Sequence, residues 1–110
     1  MVHARINDQL AVRLHYAGLH DTALAAAQDA HTAWRQLAWA DPDAYEPGLA
    51  AALSRLGVQS SDVGRWAEAL AAEQDAVAVF RKLAVFTTGN PTAYQLDLAI
   101  SLTNLGIWLL

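Results

Sequence analysis

The sequence predicts an all-α protein built as a string of helical hairpins. The stretch ALAAAQDAHTAWRQLA, which begins at Ala23, recurs as ALAAEQDAVAVFRKLA from Ala69, 46 positions later. Such repetition at a fixed spacing is typical of repeat architectures. Ala and Leu make up 24 and 16 of the 110 residues, and Ala both favours helix and lets neighbouring helices approach closely.

Two separate blocks of sequence are repeated. Residues 18–38 and 64–84 are identical at eleven of 21 positions, where about two matches would arise by chance. Residues 42–57 and 91–106 are identical at eight of 16 positions, with a shift of 49 instead of 46. The three additional residues lie before the second copy of the second block. Because insertions are tolerated in loops, a connection is predicted there.

The spacing of apolar residues predicts five helices, at residues 4–17, 21–40, 43–63, 66–86 and 92–110. The second and fourth helices each carry a stripe of apolar residues spaced three, four or seven positions apart. In the second helix it consists of Ala23, Ala27, Ala30, Trp34 and Leu37, and in the fourth of Ala69, Ala76, Phe80 and Leu83. The third and fifth helices carry Leu49, Leu53 and Leu56, and Leu98, Leu102 and Leu105. One apolar face per helix predicts packing against neighbouring helices.

The predicted helix ends carry typical boundary residues. Gly18 and Gly64 follow the first and third helices, where a left-handed backbone conformation is favoured. Asp41 and Asn90 each precede a proline, which places a capping residue before a proline in the first turn. Asp21 is expected to cap the second helix.

Composition argues against several classes of partner. The net charge is −4, with seven basic and eleven acidic residues, and the arginines form no run. Neither nucleic acid nor an anionic membrane surface is therefore an expected partner. The chain has no cysteine and no apolar stretch typical of a signal peptide or a membrane span. A cytoplasmic location is expected.

A further pattern lies in the third and fourth helices. Leu56-Gly57 stands in the third helix, Gly64 precedes the fourth, and the small residues Ala69 and Ala76 lie seven positions apart in the fourth. This pattern resembles the tetratricopeptide repeat. The period of 46–49 exceeds the usual 34, as in the extended repeats of kinesin light chains and of many actinobacterial proteins.

The resemblance implies a right-handed α-solenoid of antiparallel helix hairpins. One domain is expected over residues 1–110, with a partial repeat at 1–40, a full repeat at 43–86 and a half repeat at 92–110. The apolar last helix predicts that the chain is a fragment of a longer array, or that it self-associates through residues 98–110. The resemblance implies that the larger protein is bacterial. Two positions depart from the family pattern, because Ser60 and Glu73 stand where aromatic residues are usual.

The resemblance also implies a binding surface for a protein or peptide. The first helix of each hairpin lines the concave groove in this family, and the corresponding positions are Ser54, Arg55, Val58, Ser61, Asp62, Thr103, Asn104 and Ile107. Trp66, near a helix end, is added as a contact residue. Because Val58 and Ile107 occupy positions where relatives that clamp a C-terminal carboxylate carry Asn, binding of chaperone tails is not expected.

No arrangement of residues indicates catalysis, a cofactor or a metal. Two metal ligands on one helix face need a spacing of three or four, whereas the histidines are separated by 12, 5 and 11 positions: His3, His15, His20 and His31. The predicted function is a non-catalytic interaction scaffold. The alternative is a small stand-alone helical bundle, homodimeric or ligand-binding, with a closed pocket around His15, His31 and Trp34.

Overall fold

The computed structural model describes residues 2–86 and 91–108, without the side chains of 85–86, 91–94, 96–97, 105 and 107–108. All secondary structure in these ranges is helical. The five helices are α1 (Val2–Tyr16), α2 (His20–Ala40), α3 (Pro42–Asp62), α4 (Trp66–Phe86) and α5 (Pro91–Trp108). The bounds of α1 to α4 and the start of α5 differ from the predicted ones by at most two residues, and the predicted end of the fifth helix at residue 110 lies outside the described residues. None of these helices combines the length and the apolarity needed to cross a membrane.

The turns after α1 and α3 have the same backbone structure. Gly18 and Gly64 adopt positive φ values of 79° and 78°, as predicted. The amide of Leu19 donates to the carbonyl of Leu14 over 2.9 Å, and that of Arg65 pairs in the same way five residues back. These bonds satisfy carbonyls at the helix end and are those of a Schellman motif. Each turn therefore returns the chain within three residues.

The capping predictions have mixed outcomes. Asp41 caps α3, because its Oδ1 accepts a hydrogen bond from the amide of Ala44 over 3.4 Å. The prediction for Asp21 is wrong. Helix α2 begins one residue earlier, at His20, with Leu19 at the capping position and no side-chain cap bond. The Schellman turn already orients this helix start, and Asp21 lies within the first turn. Asn90 lies outside the described residues.

The core lies mainly between helices that follow one another in the sequence. One group of buried residues joins α3 and α4, and two others join α1, α2 and α3. Leu49 of α3 packs against the first group and also against the group that contains Trp34. The molecule measures 39 × 36 × 20 Å, and its smallest dimension equals about two helix diameters.

Equivalent positions of the repeat have equivalent burial. Ala30 and Ala76 are both buried, as are Trp34 and Phe80. The burial of Ala30 and Ala76 agrees with the predicted inward face of the second and fourth helices. At the other end of the chain, Ile100 and Leu102 of the fifth helix are exposed.

Candidate binding groove

A groove of about 360 Å³ lies on the face formed by α1, α3 and α5. Phe80 of α4 is the only lining residue from an even-numbered helix among the residues described. The lining residues are Val12, His15, Tyr16, Ala51, Ser54, Arg55, Val58, Gln59, Phe80, Ile100, Ser101 and Asn104. Their side chains combine apolar groups with hydroxyl, amide and imidazole groups. Such a lining can bury apolar side chains and also hydrogen-bond a polar backbone.

Four of the residues predicted from the sequence line this groove together. They are Ser54, Arg55 and Val58 of α3 and Asn104 of α5. Ser54 and Val58 are separated by one helical turn, so they lie on the same face of α3. The structure thus brings one part of the predicted set together across two helices.

The other predicted residues whose side chains are described do not line the groove. Ser61 and Thr103 bond to their own helices, with Ser61 Oγ donating to a carbonyl over 2.6 Å and Thr103 Oγ1 over 2.8 Å. Trp66 is 56% exposed at the start of α4. Asp62 lies beside His15, with 3.1 Å between its Oδ2 and the imidazole Nδ1. The side chain of Ile107 lies outside the described residues.

Arg55 is held by an ion pair that the sequence did not reveal. Its Nη1 lies 2.7 Å from Oδ1 of Asp8, on α1. The other oxygen of Asp8 accepts a hydrogen bond from Trp34 Nε1 over 2.8 Å. One carboxylate thereby joins α1, α2 and α3. The pairing neutralises part of the positive charge that Arg55 brings to the groove.

A buried carboxyl group lies directly behind the groove lining. Glu73 of α4 is fully buried, and its Oε1 accepts a hydrogen bond from Ser54 Oγ over 3.1 Å. Ser54 Oγ also lies 3.4 Å from Ser101 Oγ, which links α3 to α5. Burial raises the pKa of Glu73, while hydrogen bonds from Ser101 and Ser54 oppose the rise. Among the described residues, no group hydrogen-bonds to its Oε2.

Sequence reasoning recognised Glu73 as unusual but missed its burial. The signal was available, because residue 73 matches Ala27 of the first copy, and Ala27 lies on the predicted apolar stripe. Both positions are buried in the structure.

His31 and Trp34, the centre of the alternative pocket, do not line the groove. Trp34 belongs to the core, as its match to Phe80 predicted. His31 is half-buried on α2. Its pKa is lowered by burial and by the charge of Arg35, against an opposing effect of Asp75. Of the three residues named for that pocket, only His15 lies at the groove.

No family model, curated protein or solved structure matches this chain. The fold and the groove therefore define its class at a coarse level, as an all-helical protein with a mixed polar and apolar groove on one face.

Proposed function

We propose that this chain is a non-catalytic interaction scaffold that binds a peptide or helix of a protein partner in the groove. The observation that carries the proposal is which helices supply the residues that line the groove. Of the twelve lining residues that the structure describes, eleven come from α1, α3 and α5. These are the first helices of successive pairs, which line the concave surface in the tetratricopeptide proteins that the sequence resembles.

The repeated geometry supports a solenoid as the underlying architecture. Successive helices contact one another, and the turns after α1 and α3 share one hydrogen-bond pattern. Ala30 and Ala76 are buried at matching positions of α2 and α4. Under this proposal the hairpins stack with one right-handed twist, α2 and α4 form the outer layer, and the groove follows the inner layer.

The lining favours a peptide with both apolar and hydrogen-bonding groups. Val12, Val58 and Ile100 offer apolar surface, while Ser54 and Asn104 offer hydrogen-bonding groups. Because Arg55 is paired with Asp8, no strong net charge is available to select a highly charged partner. The shape of the groove, and the spacing of apolar side chains along a helical or extended peptide, would then determine which peptide binds.

Selection from a random peptide library tests the proposal. Peptides selected on the wild-type chain should bind it saturably and lose at least about tenfold in affinity when Val58→Arg places a long charged side chain in the groove. The matched control is Gln74→Arg, which adds the same charge at an exposed position of α4. Peptides that bind both variants equally, or a library that yields no binder, would contradict the proposal.

A small-molecule ligand is the second candidate, as in the bundle alternative. The volume of about 360 Å³ falls within the range of about 300–1,000 Å³ common for such sites. Thermal-shift screening of a metabolite library on the wild-type chain and on Val58→Arg distinguishes the two candidates. A metabolite that raises the melting temperature of the wild-type chain but not of Val58→Arg would favour the ligand-binding bundle over the interaction scaffold.

A further inference from the structure

The structure brings together three potential metal ligands that are separated in the sequence. His15 lies in the last turn of α1, His20 begins α2 and Asp62 ends α3. Each offers one ligand atom, and the three atoms all lie within 4.8 Å of one another. The rule of a three- or four-residue spacing overlooked this cluster, because it considers only ligands on one helix.

The short distance between His15 and Asp62 is suited to a shared ion. Nδ1 of His15 lies 3.1 Å from Oδ2 of Asp62. This Nδ1 is buried and lies within salt-bridge distance of the Asp62 carboxylate, in an orientation unsuited to a hydrogen bond, and no other described residue hydrogen-bonds to it. Ligands about 2.0–2.1 Å from zinc are separated by about 3.3–3.4 Å along an edge of a tetrahedron. The observed separation is slightly shorter, and a small rotation of either side chain would give the tetrahedral distance.

The turn between the two histidines is rigid, which lowers the entropic cost of assembling the site. The amide of Gly18 donates to the carbonyl of His15 over 3.0 Å within the Schellman turn. The imidazole rings of His15 and His20 have centroids 5.3 Å apart. His20 is exposed, so its ring can rotate the remaining distance toward the other two ligands without disturbing the core.

The second copy of the turn provides an internal comparison. It has the same backbone hydrogen bonds, yet Ser61 and Trp66 stand where the first copy has His15 and His20. The turn itself therefore does not require histidine at either position. This comparison also shows that serine is compatible with the turn at the position of His15.

We propose that His15, His20 and Asp62 form a binding site for one zinc-class divalent ion. Two imidazoles and one carboxylate favour Zn²⁺ and similar transition metals over Mg²⁺ and Ca²⁺, which prefer sites made wholly of oxygen. Three protein ligands leave at least one coordination position for water. Because His15 also lines the groove, the ion lies at one end of it. The site does not depend on the proposed peptide binding.

Titration of the untagged chain with ZnCl₂, in competition with a chromophoric chelator, tests the site. One ion should bind per chain, and MgCl₂ in millimolar excess should not displace it. His20→Gln, Asp62→Asn and His15→Ser should each weaken binding by at least about tenfold. Co²⁺ should give visible d–d absorption in the wild-type chain that His20→Gln abolishes.

The matched control is His3→Gln, which removes one exposed histidine outside the cluster. It should bind Zn²⁺ with unchanged affinity. Far-UV circular dichroism establishes that each variant is folded, and the exposed position of His20 makes its variant the decisive one. Absence of saturable binding at 100-micromolar-scale Zn²⁺, or equal affinity in the wild-type chain and His20→Gln, would refute the site.

Discussion

Among the side chains that the structure describes, one carboxyl group, that of Glu73, is buried between helices, and the other buried positions are mainly alanine and leucine. The hydroxyl of Ser54 donates to its Oε1, and its Oε2 has no hydrogen-bond partner among the described residues. A buried polar atom without a partner costs about 1–3 kcal/mol. At the scale of single residues, Glu73 is therefore the side chain at which a conservative change should stabilise the protein.

Glu73→Gln should raise the free energy of unfolding at pH 7 by about 1 kcal/mol, because it removes a buried ionisable group and keeps an oxygen for Ser54. Burial raises the pKa of Glu73 in the folded state above its ordinary value of 4.5. The folded state therefore holds the proton more tightly, and this group destabilises the fold increasingly as pH rises from about 4.5 through the folded-state pKa. The advantage of the variant should shrink toward pH 4.

Urea unfolding at pH 4 and pH 7 measures this difference, and Glu68→Gln provides the control. Glu68 is exposed in the first turn of α4, where its charge interacts favourably with the helix dipole, so its replacement should lower the free energy of unfolding at pH 7 by about 0.3–1 kcal/mol, opposite in sign to Glu73→Gln. Equal stability of the wild-type chain and Glu73→Gln at pH 7 would mean that burial of the carboxyl is not a cost to the fold.

The burial of Ala30 and Ala76 could be predicted from the sequence, because periodicity identifies the inner face of a helix. The contact of Asp8 with Trp34 and Arg55 could not. Likewise, the cluster of His15, His20 and Asp62 joins three elements. Such contacts depend on how helices are rotated and shifted against one another, and periodicity gives neither quantity. The four predicted residues that line the groove were chosen from positions that the resemblance supplied, because periodicity alone gives no packing between helices.

At the scale of the helical elements, glycine has different roles in α3 and α5. A Cβ on Gly48 would lie within 3.0 Å of three ring atoms of Trp34. That ring is buried and fixed by its bond to Asp8, so it cannot easily move. A Cβ on Gly106 would meet nothing within 4 Å. The first glycine permits helix contact, whereas the second only weakens its helix.

Gly48→Ala should lower the free energy of unfolding by about 1–2 kcal/mol, because overpacking exceeds the gain in helix propensity. Gly106→Ala is the matched variant, and it should raise stability by about 0.5–1 kcal/mol, because only the propensity changes. Chemical denaturation of both variants checks the opposite signs. Stabilisation by Gly48→Ala would show that α2 and α3 are less closely packed at this point than the structure indicates.

At the scale of the whole molecule, stability should be distributed as in a chain of neighbouring units. Most helix contacts join consecutive helices. The side chain of Leu49 packs both against the buried group around Trp34 and against the buried group around Phe80. In such an arrangement, a local defect lowers the stability of its own unit more than that of a distant one. Leu83 belongs only to the group around Phe80, so it gives a comparison for Leu49.

Native-state hydrogen exchange should distinguish the two leucines. Leu83→Ala should lower the opening free energy of α4 amides by about 2 kcal/mol and that of α2 amides by less, since the missing contacts lie on one side. Leu49→Ala should lower the opening free energies of the α2 and α4 amides by similar amounts, because the Leu49 side chain packs against the groups around Trp34 and Phe80. Equal losses in α2 and α4 for Leu83→Ala would mean that the molecule opens only as one cooperative unit, and the nearest-neighbour description would then be wrong.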